Sequence, residues 1–380
     1  MEKKLTIAVL LGLLINPRIE KRLKAEKEIA DVHLISWDRG NNNMLGRPSE
    51  DGYTAHTILL KAKANPIRRM LPYIKFCKFA KKQLLSIKPD VIHAQNLDML
   101  KIGIWYKKKI NPETRLIYEI ADLHTLIVDR QTNIVRKIAQ RYLLREEKIC
   151  ARYIDLLIVT SEKYYDTYFK NFVPEEKMLY MPNVPDLSAF ASYKPKEKNN
   201  DFVVGFIGAV RFKQQMKNLI EAGKKAGTRV LFAGLEFEPV EIEPLCRSVQ
   251  GFEWYGKFDF QSEAAKIYEK CDAVFSVYDA DMKNVRVALP NKLYEAVYCE
   301  LPIIVAKGTY LEEIVNDWGV GVAVDHKDPD ELEAVLRKLS GDKEFYDSLV
   351  SNCRKHKNDA DLKFYNKKLL NFIENITVNK

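Results

Sequence analysis

No Cys-x-x-Cys pair, internal repeat, low-complexity tract or membrane-length apolar run occurs in this 380-residue chain. Its six cysteines (Cys77, Cys150, Cys246, Cys271, Cys299 and Cys353) stand alone, without regular spacing. That argues against a disulfide framework and for reduced thiols in a cytosolic protein, several of them core packing. Six scattered histidines form no metal-binding pattern. No nucleic-acid recognition motif is present, because the aromatic residues among the basic segments recur at helical rather than sheet-platform spacing. The apolar run Leu5–Ile15 after Met1-Glu-Lys-Lys imitates a secretory leader. It is too short to span a bilayer, and the charged helical stretch after it offers no small-residue cleavage site. A buried first strand of a parallel sheet gives the same run.

With 47% apolar residues the chain can bury a large core, and more readily two cores than one. Charge divides unevenly. Residues 1–200 hold 36 Lys and Arg against 23 Asp and Glu, a net of +13, whereas the remainder hold 25 against 29, a net of −4. The excess clusters in Lys61–Lys88, interleaved with Met70, Leu71, Tyr73, Ile74, Phe76 and Phe79, and in Trp105–Lys109. A basic helix with an apolar face reads as a surface resting on anionic lipid headgroups. A solvated helix whose apolar side is core produces the same pattern.

Apolar, β-rich runs alternate with helical patterns. The first half predicts strands at Leu5–Leu14, Val32–Trp37, His56–Leu60, Val91–Ala94, Leu116–Ile120 and Leu156–Thr160, with helices such as Ile67–Leu85 and Ile134–Ala151. After Met181-Pro-Asn-Val-Pro-Asp and the polar stretch Lys194–Asp201, strands resume at Phe202–Ile207, Arg229–Ala233, Ala273–Val277, Pro302–Ala306 and Val320–Val324. The expected architecture is α/β: two Rossmann-like parallel-sheet domains facing across a cleft. The expected boundaries are residues 1–185, a linker at 186–200, a second domain at 201–360, and a C-terminal helix at 361–380 packing back on the first domain.

The chemistry-bearing residues lie in the second half. In Pro290-Asn-Lys-Leu-Tyr-Glu295, Pro290 and Asn291 open a helix whose free N–H groups attract phosphate. Glu295, one turn in, is placed to reach hydroxyls. A phosphate subsite beside a hydroxyl-binding acid suits a nucleotide-sugar, although an ordinary αβ connection has the same spacing. Gly205-Phe-Ile-Gly208 lets the backbone approach a diphosphate. Arg211 and Lys217, at the start of a helix over Met216–Ala226, supply cations that would neutralise a leaving diphosphate without metal, with Lys213 an alternative to either. Asp279-Ala-Asp281 imitates a divalent-metal motif, but three-residue matches are common by chance, and no metal site is expected.

The order Gly208, Arg211, Lys217–Ala222, Val230–Gly234, Pro290–Glu295 and Leu301–Ile304 resembles the nucleotide-sugar half of GT-B glycosyltransferases of family 4, in particular bacterial capsule and exopolysaccharide enzymes. Weaker first-half likenesses are Asn16–Lys21, Lys88–His93, Tyr118–Leu123 and Tyr180–Asn183. The resemblance implies a retaining transferase with an acceptor-binding first domain. Its donor contacts would be Gly208, Arg211, Lys217, Asn291, Lys292 and Glu295, with Glu295 on the ribose. Its catalytic residues would be Arg211, Lys217 and Asp122, the last a carboxylate on the acceptor side. The first acid of the family's glutamate pair should fall at Val287 and is missing. Asp279 or Asp281 are substitutes for it, and Ala121 stands where a histidine often precedes Asp122, with His124 nearby. The implied partners are a nucleotide-diphosphate sugar, a lipid-linked saccharide acceptor and an anionic membrane surface, with no cofactor and no nucleic acid. The implied location is the cytoplasm, with peripheral attachment to the inner face of the cell membrane. A nucleotide-sugar epimerase or hydrolase of the same fold, or a non-catalytic homologue, are the alternatives.

Overall fold

The apolar run that opens the chain forms a strand, as its pattern predicts, in the computed structural model, which describes residues 4–40, 52–62, 66–123, 133–196, 201–236 and 241–378. The chain divides into two compact units, Met1–Pro182 with Lys363–Lys380, and Asn183–Leu362.

In the first unit seven strands run in the order β3-β2-β1-β4-β5-β6-β7. They are β1 (Leu5–Leu11), β2 (Ala30–Asp38), β3 (Thr54–Leu59), β4 (Val91–Gln95), β5 (Arg115–Ile120), β6 (Leu156–Val159) and β7 (Met178–Tyr180). Every pairing is parallel, so crossover helices can cover both faces and the central strands are apolar on both sides. Helices α1 (Pro17–Glu26), α2 (Pro66–Ile87), α3 (Asn96–Lys109) and α4 (Ile134–Cys150) make the crossovers. The Asn16 carboxamide accepts from the Ile19 amide at 3.1 Å and caps α1. The chain's last helix, Leu362–Val378, packs on this unit, with Tyr365 edge-on to Tyr180.

The second unit holds six parallel strands in the order β10-β9-β8-β11-β12-β13. These are β8 (Val203–Ile207), β9 (Arg229–Ala233), β10 (Glu253–Gly256), β11 (Ala273–Ser276), β12 (Ile303–Ala306) and β13 (Gly321–Val324). Phe206, Phe232 and Phe275 are fully buried in its core. Strand order reverses between β8 and β11, the position where doubly wound sheets bind ligands beyond the carboxyl ends of the strands. Crossovers used below are α5 (Lys213–Ala226) and α6 (Asn291–Tyr298). Helix α5 begins at Lys213, a turn before the expected Met216. Two short edge strands, β7 and β10, have no counterpart in the sequence reading. All six cysteines are free thiols, and among the described residues no helix is long and apolar enough to cross a membrane.

Several first-half motif residues converge on a buried ion network. The Glu119 carboxylate on β5 receives Arg18 Nη1 at 3.0 Å, Gln95 Nε2 at 2.9 Å and His93 Nε2 at 2.9 Å, with Arg22 Nε at 3.6 Å. His93 Nδ1 faces Glu26 Oε1 at 2.5 Å. These groups tie α1 to β4 and β5, and Arg22 also donates to the Met181 carbonyl at 3.3 Å. Burial alone would lower the His93 pKa, but Glu26 and Glu119 outweigh it and raise it from 6.5 to about 9. The protonated ring's contribution to stability is therefore complete below pH 6.5 and is lost as pH rises through 9. Thermal melts should show a decline over that window on the order of 3 kcal/mol. His93→Gln should be less stable at pH 6.5 and show a flatter profile. Equal declines in the two proteins would contradict a charged His93.

Candidate functional site

Strand β8 ends at a turn that only a glycine suits. Gly208 has φ +138°, and a Cβ there would stand 2.8 Å from Lys292 Nζ. Gly234, after β9, packs on the Gly208 carbonyl so closely that its own Cβ would overlap it. Two glycines thus bring backbone and one ammonium into contact at the switch point of the sheet.

Lys292 lies in the first turn of α6, where a lysine would ordinarily be solvated. Here it is 9% exposed. Its Nζ donates to Tyr278 Oη at 2.8 Å and sits 4.7 Å from the Phe206 ring centroid and 5.4 Å from that of Tyr278. Phe212 packs on Tyr278, with centroids 5.1 Å apart. No carboxylate among the described residues forms an ion pair with Lys292. A buried ammonium held by π-faces and one hydroxyl, with no described carboxylate beside it, makes this position a candidate anion site.

Glu295, expected one turn into the helix and within reach of hydroxyls, is held by a protein hydroxyl. It is 4% exposed, and its Oε2 accepts from Tyr268 Oη at 2.5 Å. Burial, and then the Glu295 charge, push the Tyr268 hydroxyl well above its ordinary pKa. The pair locks the inner face of α6, which fixes the direction of Lys292 one turn earlier. Asn291 is half-buried at the first helical position, and no side chain caps α6.

Arg211 lies exposed in the loop between β8 and α5. Lys217 is also exposed, on the helix stripe that carries Gln214 and Glu221, while Gln215, Met216, Asn218 and Leu219 turn inward. Gln215 and Asn218 donate to the His326 carbonyl at 3.1 and 3.4 Å, which pins the loop after β13 to the start of α5. Lys213 reaches Glu241 at 3.7 Å.

Asp279, Asp281 and His326 bring three potential ligand atoms within 4.8 Å of one another. Asp281 is paired with Lys327 at 2.5 Å, and that bond lowers its pKa. Gln215 Nε2 stands 3.2 Å from His326 Nδ1. These groups are engaged as an ion-pair cluster. In the first unit Asp122 is exposed just beyond β5, with Tyr164 Oη 3.4 Å from its Oδ1. Burial and Asp122 together raise the Tyr164 pKa. His124 lies outside the described residues.

Sequence spacing could place Lys292 on α6 but not its partners. Tyr278, Phe212, Gln215, Tyr268 and His326 were missed as site-building residues, because each acts through contacts distant in sequence.

Residues 189–356 match the family model described as Glycosyl transferases group 1. The succinoglycan biosynthesis protein ExoL of Rhizobium meliloti (strain 1021) is 23% identical over 328 residues, covering 82% of this chain and 78% of that protein. The sucrose-phosphate synthase structure from Thermosynechococcus elongatus superposes with a TM-score of 0.74 at 15% identity, over 99% of this chain and 100% of that one. Anabaena Alr3699/HepE, crystallised in complex with UDP, superposes with a TM-score of 0.70 at 16% identity, over 98% and 100%.

Replacing Gly208 tests whether the turn and the ammonium act together. Gly208→Ala should lose roughly 1–2 kcal/mol of stability from its backbone angle and displace Lys292. Calorimetry should then show weaker binding of a nucleoside diphosphate. Unchanged affinity would separate Lys292 from the ligand.

Proposed function

Given that the chain is a glycosyltransferase of the GT-B fold with a group 1 domain at residues 189–356, we propose that it moves a sugar from a nucleoside-diphosphate donor to an acceptor hydroxyl with retention of anomeric configuration. The observation that carries this reading is Lys292, a buried ammonium beside the Gly208 backbone with no carboxylate partner among the described residues. A diphosphate supplies the missing charge. As the glycosidic bond breaks, negative charge grows on the leaving phosphate, and a cation fixed beforehand stabilises it without reorganisation. Arg211 and Lys217 add positive charge at the same end of the sheet.

In the retaining reaction the acceptor oxygen bonds to the anomeric carbon as the bond to the phosphate oxygen breaks. The acceptor proton passes to that phosphate on the same face. Asn291 and Gly208 present backbone to the donor, and Glu295, one turn into α6 and held by Tyr268, is the ribose-side acid. Asp122 of the first domain orients the acceptor. No metal is required by this arrangement. A lipid-linked saccharide in surface-polysaccharide synthesis is the proposed acceptor, and an anionic membrane surface the proposed setting. The likeness to a succinoglycan biosynthesis protein supports that class, and a UDP complex of a protein with this fold supports the donor.

The test is turnover with a panel of nucleotide-sugars and a lipid-diphosphate saccharide, in the presence of chelator. Nucleoside diphosphate should be released only when acceptor is present, and the new linkage should keep the donor's anomeric configuration. Arg211→Ala should lower kcat by about a hundredfold. Free sugar or an epimer formed without acceptor would instead favour the epimerase or hydrolase reading. A strict requirement for Mg²⁺ or Mn²⁺ would assign a metal to Asp279, Asp281 and His326.

A further inference from the structure

The sheet of the first unit has a switch point of its own. From β1 the strand order runs to β2 and β3 on one side and to β4 and β5 on the other. The loops leaving β1 and β4 therefore diverge, and the carboxyl ends of β1, β2 and β4 open a crevice. A cavity of about 280 Å³ lies there, between those strand ends and helices α2 and α3. Its polar wall is cationic. Arg39, just past β2, and Arg69, early in α2, both line it and both are half-buried. Neither forms an ion pair among the described residues. Asp98, exposed at the rim, is the acid that faces them. Burial, and then the charge of Arg69, lower the Arg39 pKa, while Asp98 raises it. Two like charges thus share one small space.

Arg39 is fixed in place, unlike an arginine that samples solvent. Its Nη2 donates to the Gly12 carbonyl at 2.5 Å, and its guanidinium carbon lies 4.6 Å from the Trp37 ring centroid. Trp37 is itself anchored. Its Nε1 donates to the Leu60 carbonyl at 2.9 Å, and its ring stacks on buried Phe76 with centroids 5.5 Å apart. Arg39 Nε is buried and has no acceptor among the described residues. A guanidinium held this way presents a rigid fork of donors, the geometry that suits bidentate contact with phosphate. Tyr73, its ring centroid 6.5 Å from that of Trp37, lines the same cavity and offers an apolar face to a sugar ring. Asn96 opens α3 at the cavity with φ +69°, left-handed backbone that asparagine tolerates, and is exposed there.

We propose that this pocket binds the phosphate of a phosphorylated sugar on the acceptor side of the reaction, with Arg39 and Arg69 on the phosphate oxygens and Tyr73 and Asn96 against the sugar. Charge and size select that class. Two guanidiniums against one unpaired acid leave the pocket positive, which a neutral sugar does not answer and a phosphate does. The volume suits a sugar phosphate better than a whole nucleotide-sugar. Asp122, the carboxylate proposed to orient the acceptor, follows β5, the strand next to β4, at the same end of the sheet. Calling the ligand an acceptor rests on the transfer reading above; the phosphate site does not, since first-unit residues alone build it. A sugar phosphate free in solution and one joined to a lipid carrier present the same chemistry, and the experiment separates them.

The experiment is calorimetry on the full chain in saturating uridine diphosphate, which occupies the diphosphate site proposed for the second unit. The titrants are glucose 1-phosphate, geranyl diphosphoglucose, glucuronate and glucose. The parent should bind glucose 1-phosphate about tenfold or more tightly than glucose. Arg69→Gln should lose about tenfold of that affinity, and Arg39→Gln at least as much. Arg39→Lys, which keeps the charge but not the fork, should recover only part. Lys75→Gln, exposed on α2 and outside the cavity lining, should bind like the parent. Melting of Arg69→Gln should match the parent, so its loss reads binding and not folding. Tighter binding of geranyl diphosphoglucose would assign the pocket to a lipid-linked phosphate, and equal binding to a sugar phosphate free of lipid. Glucose or glucuronate binding as tightly as glucose 1-phosphate would overturn the proposal. So would undiminished binding by the two glutamine variants. Absent transfer with phosphate binding intact would fall on the transfer reading alone.

Discussion

The second domain is organised around one buried ammonium. Taking a lysine out of water costs several kcal/mol unless a partner compensates, and among the described residues Lys292 meets a tyrosine hydroxyl and two aromatic faces but no carboxylate. The surroundings follow from that constraint. Gly208 must lack a Cβ because the ammonium occupies the space, and Gly234 must lack one because the Gly208 carbonyl does. Tyr278, two residues past the end of β11, turns its hydroxyl onto the ammonium. The Tyr268–Glu295 bond fixes α6 and so sets where Lys292 departs from the helix. An anion would supply the counter-charge that no described carboxylate gives Lys292, which is the basis of the proposed diphosphate site.

The first domain solves a different electrostatic problem with a closed network. Glu119 is surrounded by Arg18, Arg22, His93 and Gln95; burial would raise its pKa, but Arg22, Arg18 and His93 outweigh burial and hold the carboxyl well below its ordinary range. The charges there face opposite charges within the protein, and the network fastens α1 to the sheet. Lys292, by contrast, has no carboxylate partner among the described residues, and that contrast is why it is proposed as a binding group.

Parallel strands were legible because each is a short apolar run between helical patterns, and the restart after residue 201 was visible as a second series. The edge strands β7 and β10 were not, since three or four half-buried residues carry little hydrophobic signal. In the site, Pro290–Glu295 was legible as a helix opening, but not the reach of Lys292 to Gly208, which depends on how β8 and α6 pack. Lys217 was placed by counting from Arg211. The apolar spacing of Met216, Leu219 and Ile220 was the available signal that Lys217 falls on the outer stripe. Likewise His93 and Glu119 sit inside first-half motifs that carry no signal of their burial. Ile134, Val135 and Ile138 of α4 follow a helical period that sequence assigns to core, whereas the fold leaves them exposed.

The central claim is that Lys292 recognises a diphosphate, and calorimetry with uridine and uridine diphosphate on the parent and Lys292→Met tests it most directly. Comparing nucleoside with nucleotide removes the base and ribose from the question. The account predicts that the parent prefers the diphosphate strongly and that Lys292→Met loses roughly ten- to a hundredfold of that preference while its affinity for uridine is unchanged. An equal preference in both proteins would show that the buried ammonium is structural and that the diphosphate is held elsewhere.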